Sequence, residues 1–161
     1  MQLRWNFIQV NQEKVNALQQ SLKVHPVICK LLVQRGVETY NDAKRFFRPE
    51  LSELHDPFLM KDMDKAINRI SEAISKNEKL LIYGDYDVDG TTAVALMYGF
   101  LHEIYPNVSF YIPDRYSEGY GISFQSIDYA AANNYSLVIA LDCGIKANDK
   151  ISYANTKNID F

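Results

Sequence analysis

The chain has 161 residues, of which 47% are hydrophobic and 23% are charged. That balance supplies enough apolar material for a sizeable core and excludes wholesale disorder. The formal net charge of −3 excludes nucleic-acid binding through a globally basic surface. It permits a local basic groove or a metal-bridged contact with phosphate.

The cysteines and the N-terminal sequence indicate in which cellular compartment the protein is expected. Cys29 and Cys143 lie far apart in dissimilar contexts, which favours a reduced protein over a disulfide framework. The N-terminus lacks a basic start followed by an apolar signal core. No apolar run approaches the roughly 20 residues that cross a bilayer. We therefore expect a cytoplasmic protein with no membrane partner.

We expect residues 1–77 to form a small helical region. Apolar residues recur there at spacings of three and four, which is the period of an amphipathic helix. Asn11 and Pro26 are typical helix-start residues, and Gly36 and Pro49 end two of the stretches. The predicted helices cover about residues 12–24, 26–36, 39–49 and 62–76.

Residues 78–161 predict an α/β domain with a parallel sheet. Short apolar runs alternate with helical segments, an order that favours parallel strands covered by helices on both faces. The predicted strands cover residues 79–83, 108–112 and 137–141, and the predicted helices cover residues 91–105, 124–134 and 147–156. Residues 159–161 look like the start of a fourth strand, so we expect the α/β domain to be truncated.

Acidic residues collect at the ends of two predicted strands. Asp85, Asp87 and Asp89 follow the first strand at every second position, and Asp142 follows the third strand. Neighbouring carboxylates repel one another unless a cation or hydrogen-bond donors neutralise them. Their hard oxygen atoms favour Mg²⁺, Mn²⁺ or Ca²⁺ over Zn²⁺.

The carboxyl ends of parallel strands share one edge of the sheet, where α/β proteins bind ligands. If the first and third strands are neighbours, about 5 Å apart, Asp142 faces the other three acids. Two to four carboxylates would then surround one or two divalent ions. The amides that open the next helix, with the hydroxyls of Thr91 and Thr92, could receive phosphate oxygens.

Two other motifs share part of this acidic pattern. An EF-hand loop also begins with three alternating acids and a glycine, but its twelfth position must be glutamate and here is Leu96. Phosphatases of the haloacid dehalogenase type resemble Asp87-Val88-Asp89-Gly90-Thr91, but their first aspartate leaves the strand directly. Here three residues intervene, and a long helical region precedes the motif. We set both interpretations aside.

Several motifs, in the same order, resemble those of one enzyme family. The segment Tyr83-Gly84-Asp85-Tyr86-Asp87-Val88-Asp89-Gly90 resembles the first motif of the DHH phosphoesterases, and in detail that of the RecJ single-strand-specific DNA exonucleases. Three further segments are similar to RecJ sequences: Leu54-His55-Asp56-Pro57 with Asp62-Met63-Asp64-Lys65-Ala66, Ile112-Pro113-Asp114-Arg115 with Glu118-Gly119-Tyr120-Gly121, and Leu141-Asp142-Cys143-Gly144-Ile145. The resemblance covers about residues 27–161.

The resemblance implies two divalent ions, Mn²⁺ or Mg²⁺, and roles for particular residues. Asp87, Asp89 and Asp142 would bind the metals and form the catalytic centre, and Asp85 would be a further metal ligand or a support for one. Some relatives have a histidine ligand where this chain has Tyr83. The residues expected to bind substrate are Arg115, as a phosphate clamp, with Thr91, Thr92, Tyr120 and Gly121.

The activity implied by the resemblance is 5′→3′ removal of mononucleotides from single-stranded DNA by two-metal hydrolysis, in DNA repair or recombination. The Asp-His-His motif that names the family would follow the fourth strand, beyond Phe161. We therefore expect this fragment to be inactive alone. Two alternatives stay open. One is a DHH phosphoesterase that acts on oligoribonucleotides or cyclic dinucleotides, and the other is a non-catalytic module that binds a metal or a partner.

Overall fold

The first compact unit of the chain is helical. The computed structural model describes residue 4 and residues 6–161, and the chain divides into the units Met1–Leu59 and Met60–Phe161. The first unit contains α1 (Gln12–Leu22), α2 (Pro26–Gln34) and α3 (Tyr40–Phe47), then short 3₁₀ turns at Leu51–Glu53 and Pro57–Leu59. Residues 1–3 and 5 of the predicted helical region lie outside the described residues.

Local hydrogen bonds set the helix starts in this unit, and one apolar core packs the helices. The Asn11 side chain accepts a hydrogen bond from the Glu13 N–H at 2.8 Å and caps α1. Thr39 and Asp42 form a reciprocal capping box at the start of α3. The core of the unit consists of Val15, Leu18, Cys29, Leu32, Val33, Val37 and Ala43.

The second unit confirms the predicted parallel α/β architecture. Its strands are β1 (Lys79–Gly84), β2 (Val108–Tyr111) and β3 (Tyr135–Leu141), and its helices are α4 (Met63–Ser75), α5 (Val88–Ile104), α6 (Phe124–Ala132) and α7 (Asn148–Thr156). The three strands form one sheet in the order β2-β1-β3, and both pairings are parallel. The first and third strands are therefore neighbours, as expected.

Alternate residues of β1 face two separate cores, because successive side chains of a strand point to opposite faces of a sheet. Leu80 and Ile82 pack with Ala73 of α4 and with Val94 and Leu101 of α5. Residues of α6 and α7 cover the opposite face, with Leu81, Tyr83, Ile127, Ala130, Val138, Ala154 and Ile159 in one cluster. Burial on both faces explains why β1 is apolar at every position from Leu80 to Tyr83.

The chain divides into its two compact units between Leu59 and Met60, and the division at residues 77 and 78 stays a prediction. The secondary structure differs from the sequence-based expectation at two boundaries. Helix α5 begins at Val88, three residues before its predicted start, because Asp87 caps it. The expected fourth strand contributes a single parallel bridge, between Leu137 and Asp160.

Among residues 4 and 6–161, no helix is both long and apolar enough to span a lipid bilayer.

Two glycines allow the start of α5 to press against the end of β1. A Cβ atom at Gly90 would lie 2.3 Å from the Asp85 carbonyl oxygen and 2.7 Å from the Asp85 nitrogen. A Cβ atom at Gly84 would lie 2.4 Å from a methyl carbon of Val94. These distances leave no room for a side chain, so the close approach of strand and helix depends on both glycines.

An ion-pair network ties elements together at the opposite, amino-terminal edge of the sheet. Arg69 of α4 donates to Glu78 at 2.8 Å and to Asp160 at 2.7 Å. Glu78 also accepts a hydrogen bond from the Ser136 hydroxyl at 2.6 Å. The bond from Ser136 and the charge-assisted bond from Arg69 lower the pKa of Glu78 below its usual value. The charges at this edge are thus paired, although Nη1 of Arg69 is buried without a hydrogen-bond partner.

We predict that Gly90→Ala destabilises the chain by about 1–3 kcal/mol, because the new methyl group must displace backbone atoms of Asp85. The matched control is Gly99→Ala in the same helix, where a Cβ atom would meet nothing within 4 Å. That control should stabilise the chain by about 0.5–1 kcal/mol, since alanine favours the helix over glycine. Urea unfolding followed by circular dichroism measures both. Equal effects of the two substitutions would contradict the close-packing argument.

Candidate active site

The acidic residues lie where the order of strands in the sheet reverses. Strands β2 and β3 lie on opposite sides of β1, so a crevice forms between β1 and β3 at their carboxyl ends. Gly84 and Leu141 are paired residues at these ends. Asp85 and Asp142 each follow directly, and neighbouring strands are about 4.8 Å apart. The sheet thus brings the two acidic loops side by side.

Asp85 is buried and only partly satisfied. Its side chain is 0% exposed, and its Oδ1 accepts a hydrogen bond from the Tyr86 N–H at 2.8 Å. Its Oδ2 is buried without a hydrogen-bond partner. A buried carboxylate oxygen that lacks a donor is costly, and a divalent cation is a partner that would satisfy it. The residue chemistry here therefore fits a metal ion.

Asp87 and Asp89 lie at the first turn of α5. The Asp87 side chain accepts a hydrogen bond from the Gly90 N–H at 2.9 Å and caps the helix. Asp89 is in the first helical turn, where the positive end of the helix dipole favours an acid. Both side chains are exposed. The helix start thus holds two acids at the mouth of the crevice.

Asp142 lies within electrostatic reach of the acids of the first loop. Its backbone is left-handed, with a φ of 53°. Partial desolvation, followed by the charges of Asp87 and Asp89, raises the pKa of Asp142 above its usual value. The pairing of β1 with β3 therefore makes the two acidic loops neighbours, and a shared role for their four aspartates stays a prediction.

The side chains converge without forming a complete set of metal ligands. Within the part of the chain that the structure describes, no three His, Cys, Asp or Glu side chains form a group that could hold a metal ion. The assignment of Asp85, Asp87, Asp89 and Asp142 as metal ligands accordingly stays a prediction. Cys143, beside them, has its pKa raised by burial to about 11, and its Sγ donates to the Leu141 carbonyl at 3.3 Å.

The loop between β2 and α6, residues 112–123, brings two predicted substrate-binding residues to the acids. The charges of Asp85 and Asp87 raise the pKa of the Tyr120 phenol, because a phenolate there would be repelled. The Tyr120 ring packs edge-on against Tyr86 at 5.9 Å, and the Arg115 guanidinium lies over the Tyr86 ring at 5.4 Å. Arg115, Tyr86 and Tyr120 thus form a cationic and aromatic rim.

The other predicted substrate-binding residues have mixed surroundings. The Thr91 hydroxyl donates to the Asp87 carbonyl at 2.7 Å, so its donor is already used inside the helix. Thr92 is exposed on α5. Gly121 is buried with a φ of 78°, and its carbonyl accepts a hydrogen bond from the Tyr83 hydroxyl at 2.7 Å. The role of all three in substrate binding stays a prediction.

The structure gives Tyr83 a different environment from that of a metal ligand. Its side chain is 1% exposed, packs in the core with α6 and α7, and stacks on Tyr111 at 5.8 Å. Burial raises the pKa of its phenol well above the usual value, so the group stays a neutral donor. Tyr83 therefore connects β1 to Gly121 in the neighbouring loop, a function that sequence reasoning missed.

A parallel α/β sheet with loops that meet at the point of strand reversal defines the class of open α/β domains, which bind ligands at that edge. Comparison with known families places the chain within that class. Residues 79–161 match the family described as "DHH family, N-terminal domain", and the chain belongs to this family.

Two curated relatives of this chain have the same description. A single-stranded-DNA-specific exonuclease RecJ from Bacillus subtilis is 39% identical over 98% of this chain and 20% of its own length. A RecJ from Haemophilus influenzae is 26% identical over 86% of this chain and 24% of its own length. The chain therefore spans about a fifth to a quarter of the curated relatives it matches.

Solved structures agree with the fold. A crystal structure of exonuclease RecJ bound to manganese is 26% identical, covers 62% of this chain and 26% of that one, and has a TM-score of 0.57. A crystal structure of RecJ in complex with Mn²⁺ from Thermus thermophilus is 21% identical, covers 92% of this chain and 20% of that one, and has a TM-score of 0.64. The second likeness supports the fold of the helical and α/β parts.

We predict that Asp142→Asn raises the melting temperature in metal-free buffer at neutral pH. The raised pKa of Asp142 means that its ionised form destabilises the folded state, and asparagine removes the charge while it tolerates the left-handed backbone. The gain should be largest at neutral pH and disappear below about pH 4, where the aspartate is protonated in both states.

The matched control for Asp142→Asn is Asp128→Asn. Asp128 accepts a hydrogen bond from the Tyr153 hydroxyl at 2.7 Å and pairs with Lys157 at 3.1 Å, and these contacts lower its pKa. That substitution should lower the melting temperature at neutral pH. Calorimetric scans in EDTA at several pH values measure both variants. A lower melting temperature for Asp142→Asn would show that the four acids do not repel one another as described.

Proposed function

We propose that this chain forms the first part of a RecJ-like, single-strand-specific 5′→3′ DNA exonuclease. The observation that carries the proposal is the convergence of Asp142 with Asp85, Asp87 and Asp89 at the strand-reversal crevice of a DHH-family domain. The B. subtilis relative, at 39% identity, is a single-stranded-DNA-specific exonuclease. Removal of mononucleotides during DNA repair or recombination in the cytoplasm is the activity we infer for the intact protein.

The proposed site would hold two divalent ions, Mn²⁺ or Mg²⁺. The buried, unpartnered Oδ2 of Asp85 and the uncompensated charges around Asp142 and Asp87 fit such ions, because oxygen ligands suit both metals. In this proposal Asp87, Asp89 and Asp142 bind the metals directly, and the buried Asp85 is a further ligand or supports one. When bound, a pair of divalent ions activates a water molecule and stabilises the leaving oxygen of a phosphodiester.

The residues around the acids would bind and orient the strand. Arg115 can grip a phosphate through two nitrogen atoms, and its position over the Tyr86 ring restricts where the guanidinium points. The exposed ring of Tyr120 offers a face on which a base can stack irrespective of its identity, whereas the Tyr86 ring is only partly exposed and lies against Arg115 and Tyr120. The free N–H groups and the dipole at the start of α5 would attract a phosphate oxygen. None of these contacts reads a sequence, which agrees with an exonuclease that advances along any strand.

A closed substrate channel would require more protein than this chain provides. The chain spans 20% of the length of its B. subtilis relative. We therefore propose that the 161-residue chain alone has little or no nuclease activity and weak metal affinity. An assay of the purified chain with Mn²⁺ and a labelled single strand tests this. Rapid Mn²⁺-dependent cleavage by the chain alone would be inconsistent with the proposal.

Asp87→Asn in the intact protein should reduce the rate of single-stranded DNA cleavage by more than about 100-fold. Loss of a residue that only supports a metal ligand typically costs up to about 100-fold, so a larger loss indicates a direct ligand. Asparagine is chosen because it caps a helix as well as aspartate does, so α5 keeps its start. Asp87→Ala should abolish cleavage equally and also lower stability by about 1 kcal/mol through loss of the cap.

Two measurements complete this test. Calorimetric titration with Mn²⁺ should detect two sites in the intact wild-type protein and fewer in Asp87→Asn. A variant with normal turnover, unchanged metal binding and a normal melting temperature would rule out Asp87 as a ligand and with it the proposed centre. Metal binding without cleavage of any nucleic acid by the wild-type protein would favour the non-catalytic alternative.

The alternative within the family is an enzyme for short oligoribonucleotides or cyclic dinucleotides. The family match alone does not distinguish the two substrate classes, because it covers the α/β part from residue 79 onwards. The similarity to the B. subtilis RecJ also includes the helical region, since it extends over 98% of this chain. Rates on a long single-stranded DNA and on dinucleotides, compared in the intact protein, separate the two. Preference for dinucleotides would favour the alternative.

A further inference from the structure

The carboxylate of Glu118 is bonded to three parts of the loop that carries Arg115 and Tyr120. Its Oε1 accepts a hydrogen bond from the Tyr111 hydroxyl at 3.0 Å and from the Asp114 N–H at 2.8 Å. Its Oε2 accepts a hydrogen bond from the Ser123 hydroxyl at 2.5 Å. Tyr111 ends β2, and Ser123 caps α6. One side chain therefore joins the last residue before the loop, the body of the loop and its final residue.

The loop is fixed at further points. The Asp114 side chain accepts hydrogen bonds from the Tyr116 N–H, the Ser117 N–H and the Ser117 hydroxyl, at 2.8–3.0 Å. The Glu118 N–H donates to the Asp114 carbonyl at 2.9 Å, which closes a turn around Arg115. The Tyr83 hydroxyl holds the Gly121 carbonyl. Arg115 and Tyr120 are left as exposed side chains on a loop whose backbone is restrained on both sides of them.

Glu118 is itself no candidate for a metal ligand. Both of its oxygen atoms are occupied by neutral donors, and none of the ion pairs among the described residues includes it. Its side chain is only partly exposed. A carboxylate that accepts three hydrogen bonds restrains its donors more firmly than a neutral acceptor, since hydrogen bonds to ionised groups are shorter and stronger. Its geometry suits a structural brace within the loop.

We propose that Glu118 is a positioning residue that sets Arg115 and Tyr120 against the acidic crevice. This inference rests on the proposed function, because the role of the two positioned side chains is to hold the substrate strand. Without the brace, the turn at Asp114 and the bond from Tyr83 remain, but the loop loses its ties to Tyr111 and Ser123, and the strand would have to restore that order on binding. The cost therefore falls on substrate binding, and the chemical step proceeds at its usual rate once the strand is bound.

The test uses Glu118→Ala and Glu118→Gln in the intact protein, with Glu103→Ala as the control. Glu103 is an exposed carboxylate on α5 that makes none of the hydrogen bonds or ion pairs recorded for the described residues. Glu118→Ala should raise KM for a single-stranded oligonucleotide about tenfold and change kcat by less than about twofold. Glu118→Gln should restore KM to near the wild-type value, because the amide oxygen accepts the two Oε1 bonds and the Ser123 hydroxyl can accept from the amide nitrogen.

A triple mutant separates positioning from general stability. In an Arg115→Ala, Tyr120→Ala background, Glu118→Ala should cause no further rise in KM, because the residues it positions are gone. Hydrogen exchange on the 161-residue chain gives a readout without activity. The amides of Asp114, Ser117 and Glu118 should exchange faster in Glu118→Ala, while those of β1 stay protected.

Each outcome decides the proposal. A rise in KM that persists fully in the Arg115→Ala, Tyr120→Ala background, or a loss of kcat at unchanged KM, would overturn it. If Glu118→Ala does not fold, Tyr111→Phe and Ser123→Ala each remove one bond, and an unchanged KM in both would overturn it as well. If wild-type protein degrades no single-stranded DNA, the proposed function fails. If wild-type protein is active and Glu118→Ala leaves KM unchanged, only the positioning role of Glu118 fails.

Discussion

The close contact between the end of β1 and the start of α5 is the constraint on which the acidic site depends. Gly84 and Gly90 allow the helix to begin directly against the backbone of Asp85, and a methyl group at Gly90 would lie within 2.3 Å of that backbone. As a result Asp85 is buried, Asp87 occupies the cap position, and Asp89 lies in the first turn. A longer connection would place the same three acids on a mobile loop, where their mutual repulsion would move them apart.

The two edges of the sheet differ in whether their charged side chains are paired. At the amino-terminal edge, Arg69 lies between Glu78 and Asp160, and Ser136 completes the hydrogen bonds of Glu78. At the carboxyl-terminal edge, none of the ion pairs among the described residues includes the four aspartates, and the pKa of Asp142 is raised. Proteins commonly accept destabilising charge where a ligand will compensate it. The unpaired acids therefore mark the carboxyl-terminal edge as the candidate ligand-binding edge of the sheet.

The sequence was sufficient for the fold class and for the neighbourhood of the acids, because both follow from strong periodic signals. Apolar β1 and β3 predict a parallel sheet, and the position of Asp85 and Asp142 after their strands then predicts a shared edge. The start of α5 was less predictable, since Asp87 could be read as a loop ligand or as a helix cap, and the structure shows that it caps the helix. Tyr83 and Glu118 were missed because their partners, Gly121 and Tyr111, are set by tertiary contacts that no local pattern indicates.

The loop after β2 carries its functional side chains separately from the strand ends that carry the acids. The acids follow the ends of β1 and β3, whereas Arg115 and Tyr120 lie on a loop that is held by hydrogen bonds and by the packing of Ile112 and Ile122 against the cores. Under the proposed function, a substitution in this loop would alter how a strand is held, whereas a substitution of Gly84 or Gly90 would disturb the acids first. The Tyr83 hydroxyl of β1 donates to the Gly121 carbonyl, so the loop is also tied to the strand that leads into Asp85. Under the proposed function, the brace at Glu118 and the anchor at Tyr83 would therefore act on the same property, the position of Arg115 and Tyr120 relative to the acids.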